Sequence, residues 1–351
     1  VSLKDSFNKK FGGGANTSSE LASQYENVTW IDTGSASLNH AIHPSGRGFP
    51  TSNVIELPGL SSSGKTLIAD HLLRNTIRLG GIAALADVED AHDTELAENI
   101  GLDREQLLVL YPSNVEKDGT IRPYSFDEMF QQYEFLIDEI HRQYGRDKLF
   151  TFVLDSLGAM PFSQDLDGDR PKATQGAQAK EIGIWLKRIR AKVTKSNTLF
   201  VIINQMYSNI SATPTAEKYI SRDGKAVGYQ SQIRVMFEAV NGKAGKVYDS
   251  DSKIIGSRLH FNVIKNRIAK PFTEGTVDWL FGDSTPELKY YSGLINYWVE
   301  CGKAEKGTGK VTIGSNSYRC RQEGSTRNPI YVAGDDVIEK MLQENPELLN
   351  K

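Results

Sequence analysis

Cysteine is nearly absent from this chain: Cys301 and Cys320 are the only two in 351 residues. They form no C-x-x-C pair, and two thiols cannot staple a secreted scaffold, so the cytoplasm is the expected compartment. Long apolar runs are missing too. None reaches the length of a bilayer and no signal-peptide pattern is visible, so no membrane-spanning helix is expected. Only six histidines occur, without metal-ligand spacing; His40 and His43 lie close, but no carboxylate or thiol completes a set. Neither charge is in excess: 41 Lys and Arg face 44 Asp and Glu, a net charge of −3. Near-neutrality leaves nucleic acid open as a partner, because a basic stripe can sit on a neutral protein. Charged residues are 24% and hydrophobic ones 39%, the balance of a globular protein with one large domain and one or two small ones. Position 1 is Val, so the natural chain is expected to start further upstream.

What is present is more specific. Gly59, Leu60, Ser61, Ser62, Ser63, Gly64, Lys65 and Thr66 fit the G-x-x-x-x-G-K-[ST] phosphate-binding loop. An apolar strand pattern precedes it over residues 53–57, and a helical pattern follows over 66–79. The glycines let the backbone curl until several N–H groups point at a β-phosphate, and the helix N-terminus adds partial positive charge. Gly59, Ser61, Ser62, Ser63, Gly64, Lys65, Thr66 and Leu67 are therefore the expected nucleotide-binding set. Lys65 would reach the β- and γ-phosphates, and the Thr66 hydroxyl would take a place on Mg²⁺.

The rest of the chain alternates strands and helices. Residues 1–10 have helical spacing, which Phe11 and three glycines break. A Ser/Thr/Asn stretch follows to about residue 27. Such an arm has little core of its own and should dock on something, for instance a neighbouring copy. Apolar runs at 54–57, 82–87, 150–155 and 199–204 suit buried parallel strands. The clearest helix is 125–144, opened by Ser125 with Glu128 at capping-box spacing. The alternation predicts an α/β fold with a mostly parallel sheet wrapped by helices. Residues 233–240 and 258–265 read as an antiparallel extension, and 276–281 as one further strand. From about 283 a small unit begins, with a helix near 292–301, short strands and a helix from Asp335.

Phosphoryl transfer needs a carboxylate in the Mg²⁺ shell and a group that orients the attacking water. Residues 150–155 form an apolar strand ending in Asp155, the form of a Walker B strand. Asp155 would hold Mg²⁺ through water; alone, it reads equally as a helix or turn cap. A second strand ends at Asp87, and Glu89 beyond it stands where a general base would polarise water. Spacing alone reads Glu89 equally as a solvated loop acid. Asn204 and Gln205 follow the strand at 199–203; a neutral amide there can bond a γ-phosphate and release it after hydrolysis.

These strand-end sites in this order resemble the RecA recombinase family over about residues 5–300. Residues 31–42 are similar to the family's segment before the nucleotide loop. Asp87, Val88 and Glu89 with Asp93 are similar to its catalytic-glutamate segment. Asp155-Ser156 is similar to its Walker B, residues 196–205 to its sensor strand, and residues 263–272 to a segment particular to this family. The last fifty residues resemble bacterial members less, which suggests a phage UvsX-type or divergent bacterial member. The resemblance implies a RecA-like P-loop ATPase core with a mostly parallel twisted sheet, a short N-terminal helix and arm, and a small α+β C-terminal domain. The corresponding boundaries are 1–28, 29–282 and 283–351. It implies ATP and Mg²⁺ as cofactors, Glu89 as the water-activating base, and Gln205 as the link from γ-phosphate to a second DNA loop at about 206–228. It implies that Lys265 and Arg267 contact the ATP of an adjacent protomer; by themselves these two read as a solvated strand face. Phe11 and Tyr229 would pack on neighbouring subunits, and Asp93 would contact adenine. Leu96 departs from the stacking Tyr of bacterial members.

The best DNA signal in the residues themselves is the helix that contains Lys180. Six basic residues and one acid, Glu181, lie between Lys180 and Lys195. Gly176, Lys180, Gly183, Lys187 and Arg190 share one stripe, while Ile182, Trp185, Leu186 and Ile189 favour another. Small residues among lysines let a phosphate backbone approach and be neutralised; the alternative is a solvated basic face. A first DNA loop, about 162–175, is rich in Asp. The second contributes Met206, Arg222, Gly224 and Lys225, with Met206 and Tyr207 able to wedge between bases. A separate basic patch spans 303–327. The whole predicts an ATPase that polymerises on single-stranded DNA, pairs it with homologous duplex, and works with single-strand-binding and loader proteins in the cytoplasm. The alternatives are a hexameric helicase of the same fold and a poorly hydrolysing filament paralogue.

Overall fold

The computed structural model describes residues 2–20, 28–166, 175–208, 219–221, 225–281, 286–324 and 329–348. Nine strands form the spine of one large sheet. In chain order they are β1 (Asn53–Gly59), β2 (Ile82–Asp87), β3 (Leu107–Leu110), β4 (Phe150–Asp155), β5 (Thr198–Ser208), β6 (Ile233–Ala239), β7 (Ile254–Asn266), β8 (Glu274–Leu280) and β9 (Glu287–Leu288). Their spatial order is β9–β8–β7–β6–β1–β5–β4–β2–β3. From β6 to β3 every pairing is parallel; from β6 outward through β7, β8 and β9 it is antiparallel. The apolar runs and the antiparallel extension therefore appear as the sequence predicts.

Helices are α1 (Leu3–Phe11), α2 (Ala36–Ile42), α3 (Lys65–Arg78), α4 (Thr94–Asn99), α5 (Phe126–Tyr144), α6 (Gln175–Val193), α7 (Ala226–Gln230), α8 (Leu294–Glu300) and α9 (Asp335–Glu344). Strand residues alternate between the two sheet faces. Ile55, Leu57, Val201 and Ile203 pack with Leu67, Ile68 and Leu72 of α3 on one face. Val54, Phe152, Phe200 and Ile202 pack with α5 and α6 on the other. There the Phe152 and Phe200 rings stack at 5.0 Å. Parallel strands covered on both faces need near-continuous apolar runs, which is why these segments were legible. The α5 capping box is present: Ser125 Oγ accepts from Glu128 N, and Ser125 N donates to the Glu128 carboxylate at 2.9 Å.

One boundary at the site and one edge strand differ from the sequence reading. β5 does not stop at Asn204 but runs to Ser208, because Met206, Tyr207 and Ser208 pair antiparallel with Ser221, Ile220 and Tyr219. Gln205 is thus inside a strand, and the second candidate DNA loop starts with strand residues 206–208 paired to 219–221. The edge strand β3 was not anticipated: its four residues form a short apolar run, Leu107 to Leu110, yet as the last strand of the sheet it is only half-buried.

The core on the α3 face continues without a break into the C-terminal unit through Leu294, Trp298, Val311 and Met341. That unit holds a three-stranded sheet (Glu305–Gly307, Lys310–Ile313, Asn316–Arg319) and a hairpin (Arg321–Gly324 with Pro329–Val332). Buried Arg258 on β7 joins the two parts, pairing with Asp278 at 2.6 Å and with Glu323 at 3.2 Å. At the other end of the chain α1 buries none of its residues, and Leu3, Phe7 and Phe11 are all exposed. Among the described residues no helix is long and apolar enough to cross a membrane.

Candidate active site

The loop between β1 and α3 is shaped by backbone that only small residues tolerate. Gly64 has φ +83°, in the left-handed region, and a Cβ on Gly59 would stand 2.4 Å from the Phe237 carbonyl. Lys65 then opens α3, so the loop feeds straight into a helix N-terminus. The Lys65 ammonium donates to the Leu60 carbonyl at 2.6 Å. Burial pulls its pKa below the ordinary lysine value, against the attraction of Asp155 and Glu89.

Two strand ends, Asp87 and Asp155, and Gln205 from within β5 converge on this loop. Asp155, the last residue of β4, accepts a hydrogen bond from the Thr66 hydroxyl at 2.7 Å. Burial raises its carboxyl to about 6, opposed by that hydrogen bond. Two hard oxygens side by side, next to a buried ammonium, form a donor set suited to Mg²⁺ and a polyphosphate. From β2, Asp87 accepts from the backbone N–H groups of Ala91 and His92 at 3.2 and 3.0 Å. This closes the turn that carries Glu89. His92 further anchors the turn to α3 through Asp70 at 3.0 Å, a bond that raises the imidazole above its ordinary pKa. Glu89 itself accepts from Ser156 Oγ and from Gln205 Nε2 at 2.6 Å. A cavity of about 110 Å³ lies between Lys65, Thr66, Glu89, Asp155 and Gln205.

Of the two amides read from the sequence, only Gln205 faces this cavity. Asn204 is fully buried and donates to Glu56 at 3.0 Å. Side chains alternate along β5, so adjacent residues point to opposite faces. Glu56 in turn binds Arg234 at 2.5 Å. This buried acid, invisible in an otherwise apolar strand pattern, joins β1, β5 and β6 beneath the site. The Asp70–His92 pair and Ser156 were also missed. The readable hint was Asp70, an acid on the buried face of α3.

Lys265 and Arg267 are not part of this cavity. Lys265 pairs in register with Arg234, and Arg234 with Glu56, three residues before Gly59. Arg267 lies further the same way, its N–H on the Gln232 carbonyl. The loop leaves β1 at Gly59, three residues beyond the level of Lys265 and further still from Arg267, and neither cation lines the cavity within one chain. Lys265 donates to the Gly228 carbonyl at 2.5 Å. Burial, then the nearby Arg267, Arg234 and Arg190, bring its pKa down to about 8. Tyr229 is exposed beside it.

Asp93 is the N-cap of α4, accepting from Leu96 N at 2.9 Å; Leu96 packs against the core. On α6 the basic stripe is real: Gly176, Lys180 and Lys187 are exposed and Gly183 half-exposed, while Ile182, Trp185, Leu186 and Ile189 are buried. Neither glycine is forced by packing. A Cβ at Gly176 meets nothing within 4 Å, and one at Gly183 makes an ordinary 3.9 Å contact with Ala226. Two other cations of this helix are committed to α5, Arg188 to Glu134 and Lys192 to Asp138. Met206 is half-buried on β5 and Lys225 is exposed ahead of α7. Arg222 and Gly224 lie outside the described residues, as does most of the first candidate loop. Lys306, Lys310, Arg319 and Arg321 are exposed on the C-terminal unit.

A family model described as RecA N-terminal domain matches residues 2–285. Curated relatives align over almost the whole chain. One named Protein RecA, from Chlorobium chlorochromatii, is 27% identical over 347 residues, covering 99% of this chain and 86% of its own. A Protein RecA from Chlorobaculum tepidum is 27% identical over 346 residues, with 99% and 88% covered. A third, from Helicobacter acinonychis, is 29% identical over 328 residues, with 93% and 83% covered.

Proposed function

The chain belongs to the RecA family of recombinases, and on that premise we propose that it polymerises on single-stranded DNA and couples ATP hydrolysis to homologous pairing and strand exchange. One observation carries the coupling: Gln205 holds Glu89 over the phosphate loop and sits on the strand whose next residues, 206–208, pair with 219–221. A change at the γ-phosphate position therefore moves a strand that leads to the DNA loop.

In this reading Lys65 and the loop amides hold the β- and γ-phosphates, with Gly59, Ser61, Ser62, Ser63, Gly64 and Leu67 lining the cradle. Thr66 and Asp155 hold Mg²⁺, the latter through water. The cation supplies neutralisation of phosphate charge. Glu89 orients the attacking water and accepts its proton, kept in place by Ser156 and Gln205. Lys265 and Arg267 act on the triphosphate of a neighbouring copy, where two cations offset transition-state charge as an arginine finger does. Their position at the far end of the β6–β1 ladder favours this division between copies. Phe11 on the unburied α1 and Tyr229 serve the same subunit contact. Gly176, Lys180, Gly183 and Lys187, with Met206, Arg222, Gly224 and Lys225, contact DNA; base pairing supplies the sequence recognition. The working units are 1–28, 29–282 and 283–351, and the place of action is the cytoplasm.

A strand-exchange assay with ATP, a slowly hydrolysed analogue and Glu89→Gln tests this. Pairing in the wild type that requires ATP, with persistent filaments and slow turnover in the variant, is expected. Unwinding of duplex without pairing would instead identify a helicase.

A further inference from the structure

A second cavity, of about 780 Å³, lies along α3 beyond the phosphate loop. His71, Arg74, Asn75 and Arg78 all line it. Their spacings of three, four and seven place them on one helix face. Trp30, Arg47 and Tyr290 close it from outside α3. At 1.5 Å of rise per residue, Arg74 and Arg78 stand ~14 and ~20 Å along the axis from Lys65, so a triphosphate on the loop does not reach them.

The lining is unbalanced in charge. Among the described residues none of the three guanidiniums is in an ion pair. Arg74 donates to the Ile100 carbonyl and to Asn75, both at 3.0 Å. Arg47 lies over the Trp30 ring at 4.7 Å and reaches only Ser45 Oγ. The two carboxylates of the lining, Asp32 and Glu287, already have partners of their own and leave the three guanidiniums in excess. Asp32 accepts from Gly34 N at 2.6 Å, Asn39 at 2.6 Å and Tyr290 at 3.0 Å, and Glu287 faces Lys289 at 3.1 Å. His71 is 3% exposed, yet neither of its ring nitrogens has a hydrogen-bond partner. Burial, with Arg74 and Arg78 close by, lowers its pKa to about 3, so it stands neutral with one donor and one acceptor to offer. A buried polar group without a partner is costly, and this one stands among the residues that line the cavity.

We infer that this cavity is a second ligand site, separate from the phosphate loop, for a phosphate-bearing molecule of nucleotide size. Guanidinium forks match phosphate oxygens in pairs. The exposed Tyr290 ring offers apolar surface to a planar group, and the volume falls in the small-molecule range.

The test is calorimetric titration of the full chain carrying Lys65→Ala, which silences the phosphate loop, with AMP and inorganic pyrophosphate as probes. AMP is expected to bind saturably, to be displaced by pyrophosphate, and to weaken at least about tenfold when Arg47→Gln and Arg78→Gln are added, the loss of two charged hydrogen-bond donors. Both arginines are exposed, so the fold should survive, and a circular dichroism melt verifies it. Absence of saturable AMP binding, failure of pyrophosphate to displace it, or an affinity unchanged by the two substitutions would each overturn the inference. No ATPase or pairing readout enters, so the outcome is independent of the recombinase reading.

Discussion

In the proposed mechanism, Gln205→Ala isolates the step that would join nucleotide state to DNA. The substitution removes one hydrogen bond, Nε2 to Glu89 at 2.6 Å, and leaves β5 intact on both sides of it. A hydrogen bond to a charged group contributes ~1.5–3 kcal/mol, and the half-exposed position of Gln205 argues for the lower end. About 1.5 kcal/mol corresponds to roughly tenfold. Ser156 Oγ still holds Glu89, so the proposed base stays over the loop. Steady-state ATPase measured with and without single-stranded DNA should then show the DNA-stimulated rate falling about tenfold and the unstimulated rate unchanged. Equal loss of both rates would mean that Gln205 only orients Glu89. Loss of neither would remove it from the coupling altogether.

Two further outcomes follow from buried charge. Arg258→Met leaves Asp278 buried without its partner and frees the Glu323 hairpin; stability should fall by ~3–5 kcal/mol in denaturant unfolding, and an unchanged midpoint would contradict that assignment. Lys265 has a pKa lowered to about 8, so its charge is present below that pH and lost above it. ATP-dependent filament assembly should therefore decline from pH ~7 to ~9 in the wild type but not in Lys265→Arg, whose guanidinium stays protonated; parallel profiles would exclude Lys265 as the cause.

The legible parts of the molecule share a physical character. Strands buried on both faces announce themselves as apolar runs, and the phosphate loop announces itself because backbone curvature demands glycine at fixed places. The illegible parts depend on distant partners. Residues 206–208 continue β5 only because 219–221 lie alongside. Asn204 and Gln205 look alike in the sequence, yet strand alternation sends one to Glu56 and the other to Glu89. Glu56 reads as an interruption of an apolar strand until Arg234 and Asn204 supply its partners. The α6 stripe was legible from helical periodicity, whereas the ion pairs that remove Arg188 and Lys192 from it were not, since they require α5 beside it.

The central claim is that one working site is divided between two copies, and mixing two inactive variants tests it most directly. In the proposed mechanism Glu89→Gln would lack the water-activating carboxylate, and the Lys265→Ala/Arg267→Ala double variant would lack the cations supplied to the neighbour. In a head-to-tail polymer assembled at random from equal parts, about a quarter of the interfaces join an intact Glu89 to an intact Lys265 and Arg267. DNA-stimulated ATPase of the mixture should recover to about that fraction of wild type. A mixture no more active than the sum of its two components, although both enter the same filament, would place all the catalytic groups within one chain and contradict the account.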